Sequence, residues 1–307
     1  MKLFKRTYLS YLLSLLMVIT AAMGCGRQAS DNTDVSEQTE MTEEAEAAVT
    51  EESASVSFGS DAKLTITAIK EGAADAFVLM WDGYVAIIDT GLENKADKLV
   101  DFLTQQGVNR VDYLIISHFD KDHVGGADHI LKGFEVGEVY STYRSKDSDD
   151  IESYMSALEA AGLTEKVVKE VTAFEEGGVS FTIYPPRFNE YAEKTSNNSS
   201  LAVRVSVGEN AMLFAGDAEA ERIKELLATE GLESVILKVP HHGRLAANTE
   251  ALIKYVSPKY AVVTSSSSEP EDQEVVDILK ANGVSTYFTK DGNITITMTA
   301  SEVEIDQ

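Results

Sequence analysis

Four times along this chain a short apolar run ends on an aspartate or a histidine. Tyr84 to Ile88 leads into Asp89-Thr90-Gly91, and Val111 to Ile116 leads into Ser117-His118-Phe119-Asp120-Lys121-Asp122-His123. Ala211 to Ala215 leads into Gly216-Asp217, and Ser234 to Pro240 leads into His241-His242-Gly243. Short runs rich in Val, Ile and aromatic residues read as buried strands. Layered α/β folds collect their functional side chains where such strands hand over to loops. The repeated pattern therefore constrains the fold and the place of a site together.

All five histidines of the 307 residues fall in two windows. Imidazole beside carboxylate is the pairing that metal binding uses, because both are ligands for zinc and similar ions. The spacing His118-x-Asp120-x-Asp122-His123 lacks the i, i+4 step of a helical zinc site. A loop can bring His118, Asp120 and Asp122 to one side while His123 bends toward a second position. A plain polar turn is the bland alternative. Gly125-Gly126 permits tight turning beside that loop. His129, in the first turns of the following helix, reads as a surface or packing residue.

Asp217 precedes Ala218-Glu219-Ala220-Glu221-Arg222-Ile223-Lys224, so it could cap that helix. In the company of the other strand-end residues it reads as a carboxylate bridging metals. Asp89 reads as a group that orients the metal loop. His241 and His242 adjoin and must point different ways, so one binds metal and the other donates a proton or orients substrate; the sequence leaves open which. Arg244 could hold an anionic group or be merely solvated. The loop Asn197-Asn198-Ser199-Ser200 could supply an amide ligand or a substrate donor, or be only a polar loop.

Residues 1–24 read as an export signal and not as fold. Lys2, Lys5 and Arg6 open it, Tyr8 to Ala22 is mostly apolar, and small residues precede Cys25. Cys25 is the only cysteine, so no intramolecular disulfide forms. Its setting resembles a bacterial lipobox, in which the cysteine is lipidated; an uncleaved anchor is the alternative. Either reading holds the rest of the chain at a membrane, on its extracytoplasmic face. From Gly26 to Val56 there is no aromatic residue, and nine acidic residues face Arg27 alone. Such a stretch cannot bury enough apolar surface to fold, and residues 25–56 read as an acidic tether.

Residues 57–307 are enough for one large α/β domain. The whole chain carries -25; with the three basic leader residues and the tether's -8 set aside, the domain keeps -20. That surface repels phosphate backbones and speaks against tight non-specific binding of nucleic acid. Strands are expected at Leu64–Ile69, Ala76–Met80, Tyr84–Ile88, 111–117, Val139–Tyr143, Lys166–Val171, Val179–Tyr184, Leu201–Val207, 211–215, 234–239, Lys259–Thr264, Ser285–Thr289 and Ile294–Met298. Helices are expected at Lys95–Gln105, from Gly126, at Ile151–Ala161, after Asp217 and at Glu274–Ala281. Two similar halves of sheet and helix suggest two stacked sheets with helices outside.

These motifs, in this order, resemble the metallo-β-lactamase superfamily over about Leu64 to Met298. Within it they resemble the extracellular nuclease-like domain of ComEC competence proteins. The matching residues are His118 to His123, Asn197-Asn198, Gly216-Asp217 and Lys238-Val239-Pro240-His241-His242-Gly243. The resemblance implies an α/β fold, an αβ/βα four-layer sandwich with metals at one edge. It implies metal ligands drawn from His118, Asp120, Asp122, His123, Asp217, His241 and His242. Asp89, Asn197, Asn198, Lys238 and Arg244 would surround them, and Asp122 and His242 would be catalytic.

Two departures matter. Typical members have His where Asp120 stands and a further ligand His in mid-chain, whereas no histidine lies between His129 and His241 here. Asp120, with Asn197 or Asn198, would have to substitute, giving an oxygen-rich first site that either holds its ion weakly or prefers manganese to zinc. The late Asn and His-Pro motif of ComEC-like chains is replaced by Ser265 to Ser268, Glu269 and Pro270.

The expected cofactor is Zn2+ as one or two ions, with Mn2+ as the other choice. The expected activity is hydrolysis through a metal-bound hydroxide, since a bound ion lowers the pKa of water from about 16 to about 7. The substrate would be a phosphodiester, either DNA or an envelope polymer; β-lactams fit poorly without the usual three-histidine site. The rival expectation is a surface lipoprotein that uses a metal-stabilised fold for binding, with little or no catalysis.

Overall fold

The computed structural model describes residues 62–307. The expectations for the export signal, for Cys25 and for the tether lie outside the described residues. The first half contains β1 (Leu64–Ala68), β2 (Ala76–Trp81), β3 (Tyr84–Thr90), α1 (Ala96–Gln105), β4 (Arg110–Ile116), α2 (Lys121–Val124), α3 (Ala127–Gly133), β5 (Glu135–Ser141), α4 (Asp149–Ala160) and β6 (Lys166–Val167). The second contains β7 (Thr172–Glu176), β8 (Val179–Tyr184), α5 (Thr195–Asn198), β9 (Ala202–Val207), β10 (Asn210–Phe214), α6 (Ala220–Leu226), β11 (Ile236–Lys238), α7 (Thr249–Val256), β12 (Tyr260–Val263), α8 (Gln273–Ala281) and β13 (Ser285–Phe288). β14 (Ile294–Met298) and β15 (Val303–Asp306) close the chain.

The strands form two sheets. One has the order β15-β14-β1-β2-β3-β4-β5-β6, the other β13-β12-β11-β10-β9-β8-β7. In each sheet one part is antiparallel and the other parallel: β3 to β6 in the first, β10 to β13 in the second. Parallel neighbours need a crossover, usually helical. Here α1, α2–α3 and α4 serve the first sheet, and α6, α7 and α8 the second.

Alternate residues of the central strands enter different cores, which is why the runs are apolar throughout. Phe77, Leu79, Ala86, Ile88 and Ile115 face Phe181, Val203, Val205 and Phe214 between the sheets. Val78, Ile87 and Leu114 pack under Leu99, Leu103, Ile130 and Tyr154 of the first helices. Leu213, Leu237 and Val263 pack under Ile223, Leu252, Ile253 and Leu279 of the second. The layers are therefore helix, sheet, sheet, helix, the expected sandwich. Phe77 and Phe214 meet edge to face across the sheets, with ring centroids 5.1 Å apart.

Some elements differ from expectation. β5 begins at Glu135, before the apolar stretch, because Glu135 pairs with Arg110 of β4 through both backbone register and an ion pair. Lys166–Val171 is a strand only at Lys166–Val167, and Val171 is exposed. β7, with its glutamates, and β15 have no clear apolar run to announce them, whereas α7 lies outside the expected elements although Leu252, Ile253 and Val256 mark its buried face.

Candidate metal centre

The carboxyl ends of the parallel strands from both sheets meet at one edge. β3 brings Asp89, the loop after β4 brings His118 and Asp120, the short helix α2 brings Asp122 and His123 in place of the expected loop, the β10 loop brings Asp217, and the β11 turn brings His241 and His242. One atom each of Asp122, His123, Asp217 and His242 lies within 4.8 Å of the others. His123 Nε2 is 3.2 Å from Asp217 Oδ1, and His242 Nε2 is 3.2 Å from Asp217 Oδ2 and 3.1 Å from Asp122 Oδ2.

Both imidazoles are aimed from behind. Ser117 donates its backbone N–H to Asp89 Oδ1 at 2.7 Å and its hydroxyl to Oδ2 at 2.6 Å. Asp89 Oδ2 then sits 2.8 Å from His123 Nδ1, which turns Nε2 toward the cluster. His242 Nδ1 lies 3.0 Å from Thr264 Oγ1, and that hydroxyl donates to Asp75 Oδ1 at 2.6 Å. Carboxylates behind ligating histidines fix the tautomer and raise ligand basicity.

Backbone conformation carries the same signature. Asp89, His241 and His242 adopt φ of 57°, 48° and 53°. A left-handed non-glycine residue costs on the order of 1–2 kcal/mol, and such strain clusters at functional sites. Gly126 is required for a different reason. A Cβ there would lie 2.5 Å from Thr90 O, so only glycine lets the metal loop close on β3.

The buried charges do not balance. Buried Asp75, Asp89 and Asp217, with half-buried Asp122 beside them, face one ammonium, Lys238, which is 1 % exposed. Lys238 pairs with Asp75, donates to Gly216 O at 2.9 Å and lies 3.4 Å from Asp217 Oδ1. Burial disfavours charge on His123 and His242, yet the carboxylates, Asp217 foremost, hold both imidazoles protonated well above their ordinary range. Burial likewise opposes ionisation of Asp217 and Asp75, and the surrounding cations outweigh it and keep both low. The site thus calls for positive charge. A divalent ion would supply it with the imidazoles neutral. His123 Nε2, buried and without a hydrogen bond, is the orphaned nitrogen such an ion would satisfy, so the residues present fit one.

The remaining expected residues divide. His118 is fully buried, and its Nε2 has no hydrogen-bond partner. Asp120 Oδ2 is 3.7 Å from that nitrogen, while Asp120 Oδ1 contacts Lys146 and Ser196. His241 stays outside the four-residue group, with Nε2 3.9 Å from Asp217 Oδ2 and 3.2 Å from Asn197 Nδ2. Asn198 is spent elsewhere: its Oδ1 accepts from Glu219 N at 3.2 Å and Arg222 N at 3.0 Å, capping α6. That cap frees Asp217 from the helix-capping role its sequence position allowed. Arg244 lies 3.3 Å from Asp272 Oδ1. His129 lies apart, near Glu93 and Asp128. Asp75, Thr264, Lys146 and Ser196 were not foreseen: Asp75 has no strand leading into it, Lys146 is a loop residue and Ser196 lies in α5, whereas Thr264 ends the expected strand Lys259–Thr264 and carried the strand-end signal.

A double sheet between helices, with His and Asp donors at one sheet edge, defines a class of metal-binding α/β/β/α proteins. The family profile described as "Metallo-beta-lactamase superfamily" matches residues 70–265, and the chain belongs to that superfamily. It is similar to ComE operon protein 3 of Bacillus subtilis (strain 168), 28% identical over 202 residues, covering 64% of this chain and 26% of that protein. It is similar also to Recombination protein 2 of Haemophilus influenzae (strain ATCC 51907 / DSM 11121 / KW20 / Rd), 26% identical over 204 residues, 65% of this chain and 24% of that protein. The chain thus spans about a quarter of the length of these relatives. The solved metallo-beta-lactamase fold protein YhfI from Bacillus subtilis shares the fold with TM-score 0.53 and 12% identity, over 80% of this chain and 100% of that one.

Proposed function

We propose that this protein is an extracytoplasmic, metal-dependent phosphodiesterase, nuclease-like in the bond it cleaves. The observation that carries the reading is the convergence of Asp122, His123, Asp217 and His242 on one point. The names of the relatives, a competence operon protein and a recombination protein, favour a phosphodiester over a β-lactam. The extracytoplasmic location rests on the leader and Cys25.

Held by these donors, a divalent ion would acidify water and offset charge on a phosphoryl oxygen. The chain's own residues do the rest. Asp89 and Thr264 hold the His123 and His242 rings so that both Nε2 atoms face the cluster. Asp122 is the most open of the four, 22% exposed against 0–6% for the others. Its carboxylate is therefore the one placed to orient an incoming water and accept its proton.

The test is hydrolysis of bis(p-nitrophenyl) phosphate and linear DNA by the zinc- and manganese-loaded full chain. Asp122→Asn and His242→Ala should each lower kcat by on the order of 10²–10³ or more, with the circular dichroism of the parent. Equal rates for parent and Asp122→Asn with both metals would sink the enzyme reading and leave a metal-stabilised binding protein.

A further inference from the structure

The His118 end of the site is half built. His118 Nε2 is buried without a partner, and its neighbour Asp120 offers only Oδ2, 3.7 Å away. Among the described residues, no third His, Cys, Asp or Glu joins these two atoms within 4.8 Å. A closed zinc site takes four ligands, and two are present. The other oxygen of Asp120 is already taken by the Lys146 ammonium and the Ser196 hydroxyl. Asp120 and Lys146 cancel locally, so this end lacks the excess negative charge found around Asp217.

Lys146 comes from the loop between β5 and α4, and its side chain is 39% exposed. It is anchored at one end of the cluster yet open to solvent. A lysine ammonium is a compact point charge with three donors. Asp120 engages only part of that capacity, and the exposed ammonium keeps donors free for solvent or a ligand.

We propose that the Lys146 ammonium stands in for a second metal ion: the protein binds one ion tightly, at Asp122, His123, Asp217 and His242, and Lys146 meets the substrate's phosphoryl oxygen at the His118–Asp120 end. The proposal rests on the metallohydrolase reading above, but its main readout does not. Excluding an ion from the His118 end requires only that Lys146 hold Asp120. Contacting substrate requires that the same ammonium keep a free donor.

The experiment titrates zinc, and separately manganese, into the metal-stripped full chain, the Lys146→Met variant and the Lys146→Arg variant. Calorimetry and metal analysis after gel filtration read the ion count, and Trp81 fluorescence checks the fold. The parent and Lys146→Arg should each take up a single tight equivalent, and Lys146→Met should gain a second, weaker one. Loss of the Lys146 charge should lower kcat/KM for a phosphodiester by on the order of 10²-fold, and Lys146→Arg should retain most of the rate. Two tight equivalents in the parent, or no second equivalent in Lys146→Met at millimolar metal, would overturn the proposal. A second equivalent gained with kcat/KM unchanged would overturn the substrate contact, leaving Lys146 as a plug. If no protein hydrolyses anything, the hydrolase reading fails while the ion count still decides whether Lys146 takes an ion's place.

Discussion

Glu71 is a carboxyl placed where a carboxylate is costly. It is fully buried, neither oxygen makes a hydrogen bond of good geometry, and it presses on Gly91, where a Cβ would lie 1.7 Å from Oε2. Burial pushes its pKa from 4.5 up to about 8, partly offset by the Leu92 backbone, Lys98 and Lys95. The folded state then binds more protons than the unfolded state between these values. Stability falls as pH rises from about 4.5 and levels off above about 8. Each pKa unit is worth about 1.4 kcal/mol, so holding this carboxyl protonated in the fold, where the unfolded chain ionises it, costs on the order of 3 kcal/mol at pH 7. Glu71→Gln keeps the shape and removes the charge. It should match the parent near pH 4.5 and exceed it by that amount at pH 7, raising Tm by roughly 8 °C for a domain of this size. Urea unfolding of both proteins in chelator, at intervals from pH 4.5 to 8.5, measures it. The reporter is Trp81, the only tryptophan in the chain and buried between the sheets. His123 and His242, whose pKa values are raised, also lose stability as pH rises, but they are common to both proteins and cancel in the difference. A parent-to-variant difference that stays constant across this range would refute the reasoning.

Two further outcomes follow from the same geometry and from the leader. Thr264→Val removes the hydroxyl between His242 and Asp75, and should weaken ion binding by on the order of 10–100-fold; a competition titration against a chromogenic chelator reads it, and an unchanged affinity would dismiss Thr264 as a positioning residue. Cys25→Ser should release the protein from the membrane fraction of cells and abolish incorporation of labelled fatty acid; an unlabelled parent and an unchanged membrane fraction would dismiss lipidation.

The parts of this fold legible in the sequence are those with local causes. A strand between two cores must be apolar on both faces, so β2, β3 and β10 appear as nearly unbroken runs, as do Tyr113 to Ile116 of β4 and Val235 to Leu237 at β11. Their carboxyl ends are marked by abrupt polarity, which places Asp89, His118 to His123, Asp217 and His241-His242 at one edge. What stayed hidden depends on contacts remote in sequence. Asp75 enters the site only because the β1–β2 loop folds back, with its N–H donating to Asp122 O at 3.0 Å and its carbonyl accepting from Gly91 N at 2.8 Å. Lys146 reaches Asp120 across 26 positions, and Ser196 across 76. Asp217 could not be freed of a capping role until Asn198, from α5, was seen to cap α6. Similarly, the adjacency of His241 and His242 says that they diverge, but only their left-handed backbone and the distances to Asp217 put His242 in the donor group.

The donor group is split evenly between the two halves of the chain. Asp122 and His123 come from α2, just after β4, Asp217 and His242 from the turns after β10 and β11. Each half supplies two of these four donors, and a closed zinc site takes four. The four converge only when the sheets are packed, and the backbone bond from Leu201 N to Ser117 O, 2.9 Å long, ties the two edges directly. An ion bound there would crosslink the halves and stabilise the packed state by mass action. The same ion would relieve the repulsion among Asp75, Asp89, Asp122 and Asp217, which Lys238 alone does not balance. The left-handed strain at Asp89, His241 and His242 is then held by the interactions that aim the imidazoles, so folding, ion binding and ligand orientation are one coupled equilibrium.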